Sequence, residues 1–108
     1  MNDGLYKVEF QVAGKAGNGV VMLEDGILRG GDCLMYYLGL YSMDGERITA
    51  DVTLGTHTEE PGETSVFGLD RVHIRLEGKV TGDSAVLSGT SRAAPAVPLQ
   101  AMLSRIAD

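Results

Sequence analysis

Residues 26 to 46 read GILRGGDCLMYYLGLYSMDGE and lie between two turn signals, Asp25-Gly26 and Asp44-Gly45. Aspartate next to glycine tolerates the positive φ angles of a tight hairpin turn, so the stretch reads as two strands, near 27–31 and 34–42. The second is unusual. Side chains of an extended chain point alternately to opposite faces, so a strand with one face in a core alternates apolar and polar residues. Leu34 to Tyr41 is apolar on both parities, which raises the question of what each face meets.

The rest of the chain does alternate. Tyr6, Val8, Phe10 and Val12 are separated by Lys7, Glu9 and Gln11; Ile48, Ala50, Val52 and Leu54 by Thr49, Asp51 and Thr53; Val72, Ile74 and Leu76 by His73 and Arg75. Period two dominates, and Asn18-Gly19 and Gly82-Asp83 add further turn candidates. Strands are predicted near 5–12, 19–24, 47–55, 70–80, 84–91 and 97–105, which with the opening pair makes about eight. The last is ambiguous. Leu99, Met102, Leu103 and Ile106 share helical spacing while Val97, Leu99, Ala101 and Leu103 share strand spacing, so one short helix stays open there. Short antiparallel strands joined by tight turns form a sandwich or an up-and-down barrel, and a barrel leaves no exposed edges.

Length and composition narrow the class. At 108 residues the chain fits a single domain spanning 1–108, and 44% hydrophobic residues is ordinary for a globular protein. No apolar run approaches the roughly 20 residues of a membrane-spanning helix, and Met1-Asn2-Asp3-Gly4 lacks the basic start of a secretory signal. A cytoplasmic protein without membrane contact is expected. Cys33 is the sole cysteine, which removes an internal disulfide and a cysteine zinc cluster. The net charge is -6 with basic residues scattered singly, an arrangement unsuited to neutralising several phosphates at once, so direct nucleic-acid binding is not expected.

No grouping points to catalysis. GKAGNG, residues 14–19, lacks the Gly-Lys-Ser/Thr ending of a phosphate loop and reads as a hairpin loop. His57 and His73 fall in a loop and on a polar strand face, short of the three or four ligands zinc requires. Ser84, Ser88, Ser91 and Cys33 have no base placed beside them. Asp32, after Gly30-Gly31, reads as a turn carboxylate accepting hydrogen bonds from nearby amides. The acidic segment HTEEPGETSVFG, residues 57–68, reads as a solvated loop, with a binding lid or partner contact as the alternative. Neither an enzyme, a cofactor nor a metal is expected.

Taken in order, Asp3-Gly4-Leu5-Tyr6, then Gly26-Ile27-Leu28-Arg29-Gly30-Gly31-Asp32, then Tyr37-Leu38-Gly39-Leu40-Tyr41 resemble the GrlR family, small negative regulators of bacterial type III secretion. The likeness covers residues 3–55 closely and the remainder by strand pattern. It implies an eight-stranded lipocalin-like antiparallel barrel, homodimeric, with an apolar interior able to hold a small hydrophobic molecule. It also favours a strand over a helix for the last segment. The resemblance further implies regulation by contact with a transcriptional activator, through an acidic loop that matches Met43-Asp44-Gly45-Glu46. Here that loop has acids only at Asp44 and Glu46 where the family has four in succession, so the same partner does not follow.

The apolar segment can then be read by face. Tyr37, Gly39 and Tyr41 share the parity expected to look inward, and Phe10, Tyr37, Ile48, Val52 and Ile74 are the candidate lining of a ligand cavity. Leu34, Tyr36, Leu38 and Leu40 would look outward and form a homodimer interface, unless a loop or the C-terminal segment of the same chain covers them. Two functions follow: a dimeric regulatory binding protein, or a barrel carrying a small apolar ligand.

Overall fold

Three reversals follow the turn chemistry of the sequence. Asp25 and Gly26 both have positive φ, 52° and 80°, as a type I′ hairpin requires, whereas Gly45 and Gly82, at 63° and 61°, supply the single positive φ of a type II′ turn. These turns join strands in a computed structural model that describes residues 1–12, 15–58, 71–91 and 94–108. The strands are β1 (Gly4–Val12), β2 (Lys15–Glu24), β3 (Ile27–Gly31), β4 (Met35–Asp44), β5 (Arg47–Thr56), β6 (Arg71–Thr81), β7 (Ser84–Ser91) and β8 (Ala94–Ala107). Each pairs antiparallel with the next, and β8 returns to pair with β1, giving a closed eight-stranded up-and-down barrel. No described residue is helical, so the C-terminal segment is a strand, and no helix is long and apolar enough to cross a membrane.

Alternation builds the core. Tyr6, Val8 and Val12 from β1, Ile48, Ala50 and Val52 from β5, and Val72, Ile74 and Leu76 from β6 are all buried, with half-buried Phe10 packed against them, while the polar residues between them face outward. Closing a sheet this small forces strands to coil, and inward-facing glycines allow it. An added Cβ on Gly39 would overlap the carbonyl oxygen of Asp51, and one on Gly78 that of Val86, because the neighbouring backbone passes where a side chain would stand. One end of the barrel is tied by the Tyr6 hydroxyl, which donates to the Asn2 carbonyl at 2.6 Å, and by Arg105, which donates to the Asp3 carbonyl at 3.0 Å.

Two expectations about the β1–β2 connection require correction. Asn18-Gly19 is not a turn, and Lys15 to Gly19 is not a hairpin loop; all five residues lie within β2, paired with Val8 to Val12. Gly19 answers to packing instead: a Cβ there would stand 2.7 Å from both the Gly31 carbonyl and the Tyr37 hydroxyl. Of the acidic 57–68 segment, His57 and Thr58 are described and the rest lies outside the described residues.

Candidate functional site

The outer wall formed by β2, β3 and β4 carries an unusual surface. Val20 and Met22 on β2, Ile27 on β3, and Leu38 and Leu40 on β4 are exposed, Leu40 at 64% and Leu38 at 50%. Register makes them neighbours. Ile27 lies opposite Leu40, and Arg29 lies between Met22 on one side and Leu38 on the other. Contiguous apolar surface of this kind on a monomer marks an interaction site more often than scattered exposure does. Arg29 is exposed at its centre and, among the described residues, forms no ion pair.

Of the four residues expected on the outer stripe, Leu38 and Leu40 are fully on it. Tyr36 also faces outward but is half-buried, because its ring lies over Gly55 on β5, filling the space a side chain would take. The Tyr36 hydroxyl accepts a long hydrogen bond, 3.5 Å, from Arg71. Leu34 departs from the expectation. It precedes β4, in the turn after β3, and packs half-buried against the core cluster. The turn explains why: the Asp32 carboxylate accepts hydrogen bonds from the Leu34 and Met35 amides, each at 2.8 Å, through the same Oδ1, which keeps Leu34 in the turn and starts β4 one residue later, at Met35.

The interior brings together all five residues expected to line it. Phe10, Tyr37, Ile48, Val52 and Ile74 surround an apolar cavity of about 70 Å³. An engineered apolar cavity of about 150 Å³ takes up benzene, so this one is roughly half that size, and the barrel is largely filled by its own side chains, as eight-stranded barrels often are. Phe10 and Tyr37 meet edge to face, with ring centroids 6.3 Å apart and planes at 85°. The Tyr37 hydroxyl donates to Oδ2 of Asp32. Burial, reinforced by this bond to a carboxylate, raises the Tyr37 pKa well above that of free tyrosine.

Asp32 is therefore a structural joint. One oxygen holds the β3–β4 turn and the other holds a buried phenol, while its main-chain carbonyl lies 2.9 Å from Nε2 of His57. Sequence reading found the amide contacts of Asp32. The link to Tyr37 depends on hairpin geometry, and its one signal was an inward-facing tyrosine five residues from an aspartate. Cys33, beside this joint, is exposed. No cluster of metal-ligating side chains occurs among the described residues.

The β4–β5 hairpin exposes Asp44 and Glu46, but bases surround them. Glu46 lies 3.8 Å from Lys79, and Arg47, which pairs across the turn with Asp44, forms a 2.7 Å ion pair with Glu77. The hairpin tip is thus less negative than its own residues suggest. Comparison with known proteins adds no family: no family model and no curated protein matches the chain.

Proposed function

We propose that this chain is a dimeric regulatory binding protein of the GrlR type, a negative regulator that acts by protein contact with a transcriptional activator. The observation that carries the reading is the apolar outer wall of β2–β4, where five exposed large hydrophobic side chains adjoin. A barrel wall normally keeps its outer face polar when that face meets only water. Self-association would cover the Leu38 and Leu40 region and leave the β4–β5 hairpin, with Asp44 and Glu46, free for a second protein. Native mass spectrometry of the full chain at micromolar concentration tests the first half, with a dimer expected and a monomer throughout opposing it. A pull-down from the encoding organism tests the second, with a transcription factor expected in the recovered set and none opposing it.

A second reading, a carrier of a small apolar ligand, is favoured by the hydrocarbon-lined cavity. At about 70 Å³ the space suits a compact molecule smaller than benzene, and a long acyl chain would require Phe10 and its neighbours to move. The same mass spectrum decides it, since a retained ligand adds its mass to the protein.

A further inference from the structure

We infer that Arg29 is the polar anchor of the self-association just proposed, and that Glu24 of a second copy is the carboxylate that meets it. The inference rests on the dimer reading and goes beyond it by naming the pair that fixes how the two walls align. Arg29 stands in the middle of the apolar wall, flanked in register by Met22 and Leu38, with no ion pair among the described residues. Arginine among apolar neighbours is the composition of a binding hot spot, because its guanidinium can pair with a planar carboxylate while its stem packs on hydrocarbon. Covering the wall without supplying that carboxylate would strand a charge away from water at high cost.

The wall itself offers the complement. Glu24 is exposed on β2, opposite Ile27, and it too forms no ion pair among the described residues. Of the other exposed carboxylates nearby, Asp25 belongs to the β2–β3 turn and not to a strand of the wall, while Asp51, opposite Leu40 on β5, already sits 3.7 Å from Nε2 of His73. In a two-fold contact each surface meets its own copy, so a residue that touches a second residue across the interface is touched by it in return. One Arg29–Glu24 complementarity is therefore made twice. A wall on which Arg29 and Glu24, on adjacent strands, each lack an ion pair among the described residues is complementary to itself, and a second copy is the partner that these two charges select.

Charge reversal tests the pairing. Arg29→Glu places like charges at both contacts of the homodimer, as does Glu24→Arg. Each variant alone is expected to dissociate at least about ten times more readily than the wild type, by sedimentation or native mass spectrometry, with far-ultraviolet circular dichroism confirming the barrel. Mixing the two variants should restore a dimer, now of unequal masses, because each contact again joins an acid to a base. Wild-type dimers accompanied by unchanged association of Arg29→Glu would overturn the role of Arg29. Weakened variants that fail to recombine would overturn Glu24 as its partner. A wild type that stays monomeric would instead remove the dimer reading on which the inference stands.

Discussion

The barrel has two walls that share an inside and differ outside. On β2–β4 the outward residues Val20, Met22, Ile27, Leu38 and Leu40 are apolar, with Arg29, which forms no ion pair among the described residues, in their midst. On β5 and β6 the outward residues form a ladder of mixed charge, in which Arg47 pairs with Glu77 at 2.7 Å and Asp51 approaches His73 at 3.7 Å. Inward, both walls present the same alternating hydrophobic set and the same glycine device, Gly39 on one and Gly78 on the other. The difference teaches that the inward pattern specifies closure, while the outward pattern is free to encode contact. Large exposed apolar residues elsewhere are fewer among the described residues: Val86 faces Met102 across β7–β8, and Ile106 follows near the chain end.

If closure is common to both walls, disturbing it should harm either equally, and this is the largest effect expected. Gly39→Ala and Gly78→Ala each push a methyl group into a neighbouring main-chain carbonyl. Each should lower unfolding free energy by about 3 kcal/mol, at the upper end of overpacking costs, in urea denaturation. A pair of variants differing widely would show that one wall yields more than the other, and the common inside would no longer hold.

The outside should respond on one wall only. Leu38→Lys puts a charge at the centre of the apolar wall in both copies of the proposed dimer. Two buried leucines contribute roughly 1.5 to 3 kcal/mol each, so the dissociation constant should rise by about 100-fold or more, while the barrel stays folded. Val86→Lys, on the smaller apolar spot of β7, should leave association unchanged. Size-exclusion chromatography with light scattering reads both, and equal loss from both variants would merge the two surfaces into one.

How far the sequence discloses these walls depends on the range of the signal. Alternation is local, so β1, β5, β6 and β7 appear within a residue or two of their predicted limits. Asp25-Gly26 is also local, and its two positive φ angles follow from its residue types. Asn18-Gly19 looks identical at that range, yet its glycine is required by Tyr37 and Gly31, which only strand pairing brings near. Leu34 misleads for a similar reason, since its facing is set by the Asp32 carboxylate and not by strand parity. Arg29 carries no local mark at all. It becomes distinctive only when register surrounds it with Met22 and Leu38.

The inner side of the apolar wall yields a pH effect of intermediate size. Tyr37 is held neutral by burial and by its hydrogen bond to Asp32, so its folded pKa lies above the unfolded value of about 10. A phenol raised in this way contributes stability that is complete below about pH 10 and is lost as pH climbs toward the folded value. Tyr37→Phe should therefore cost about 1 kcal/mol at neutral pH through the lost hydrogen bond. The variant should also show a shallower decline above about pH 10. Tyr6 and Tyr41, whose pKa values are raised mainly by burial, keep part of that alkaline slope in the variant. Parallel slopes in urea titrations of the two proteins would show that Tyr37 is not a source of the alkaline loss.

The charged wall should give the smallest response, and that smallness is itself informative. Arg47 and Glu77 make the shortest ion pair of the β5–β6 ladder at 2.7 Å, yet their side chains remain 63% and 59% exposed. Water and salt screen such a pair, and holding two long side chains in one geometry offsets much of the attraction, so Arg47→Ala should cost no more than about 0.5 kcal/mol. The same substitution leaves Glu77 near Lys79, Glu46 and Asp44 without its closest base, making the hairpin tip more negative. If that tip is the contact for a basic surface on a regulatory partner, Arg47→Ala should tighten the complex at low salt while barely changing stability. A loss of affinity would instead mean that the partner reads the arginine, and that the mixed-charge wall is an interface in its own right.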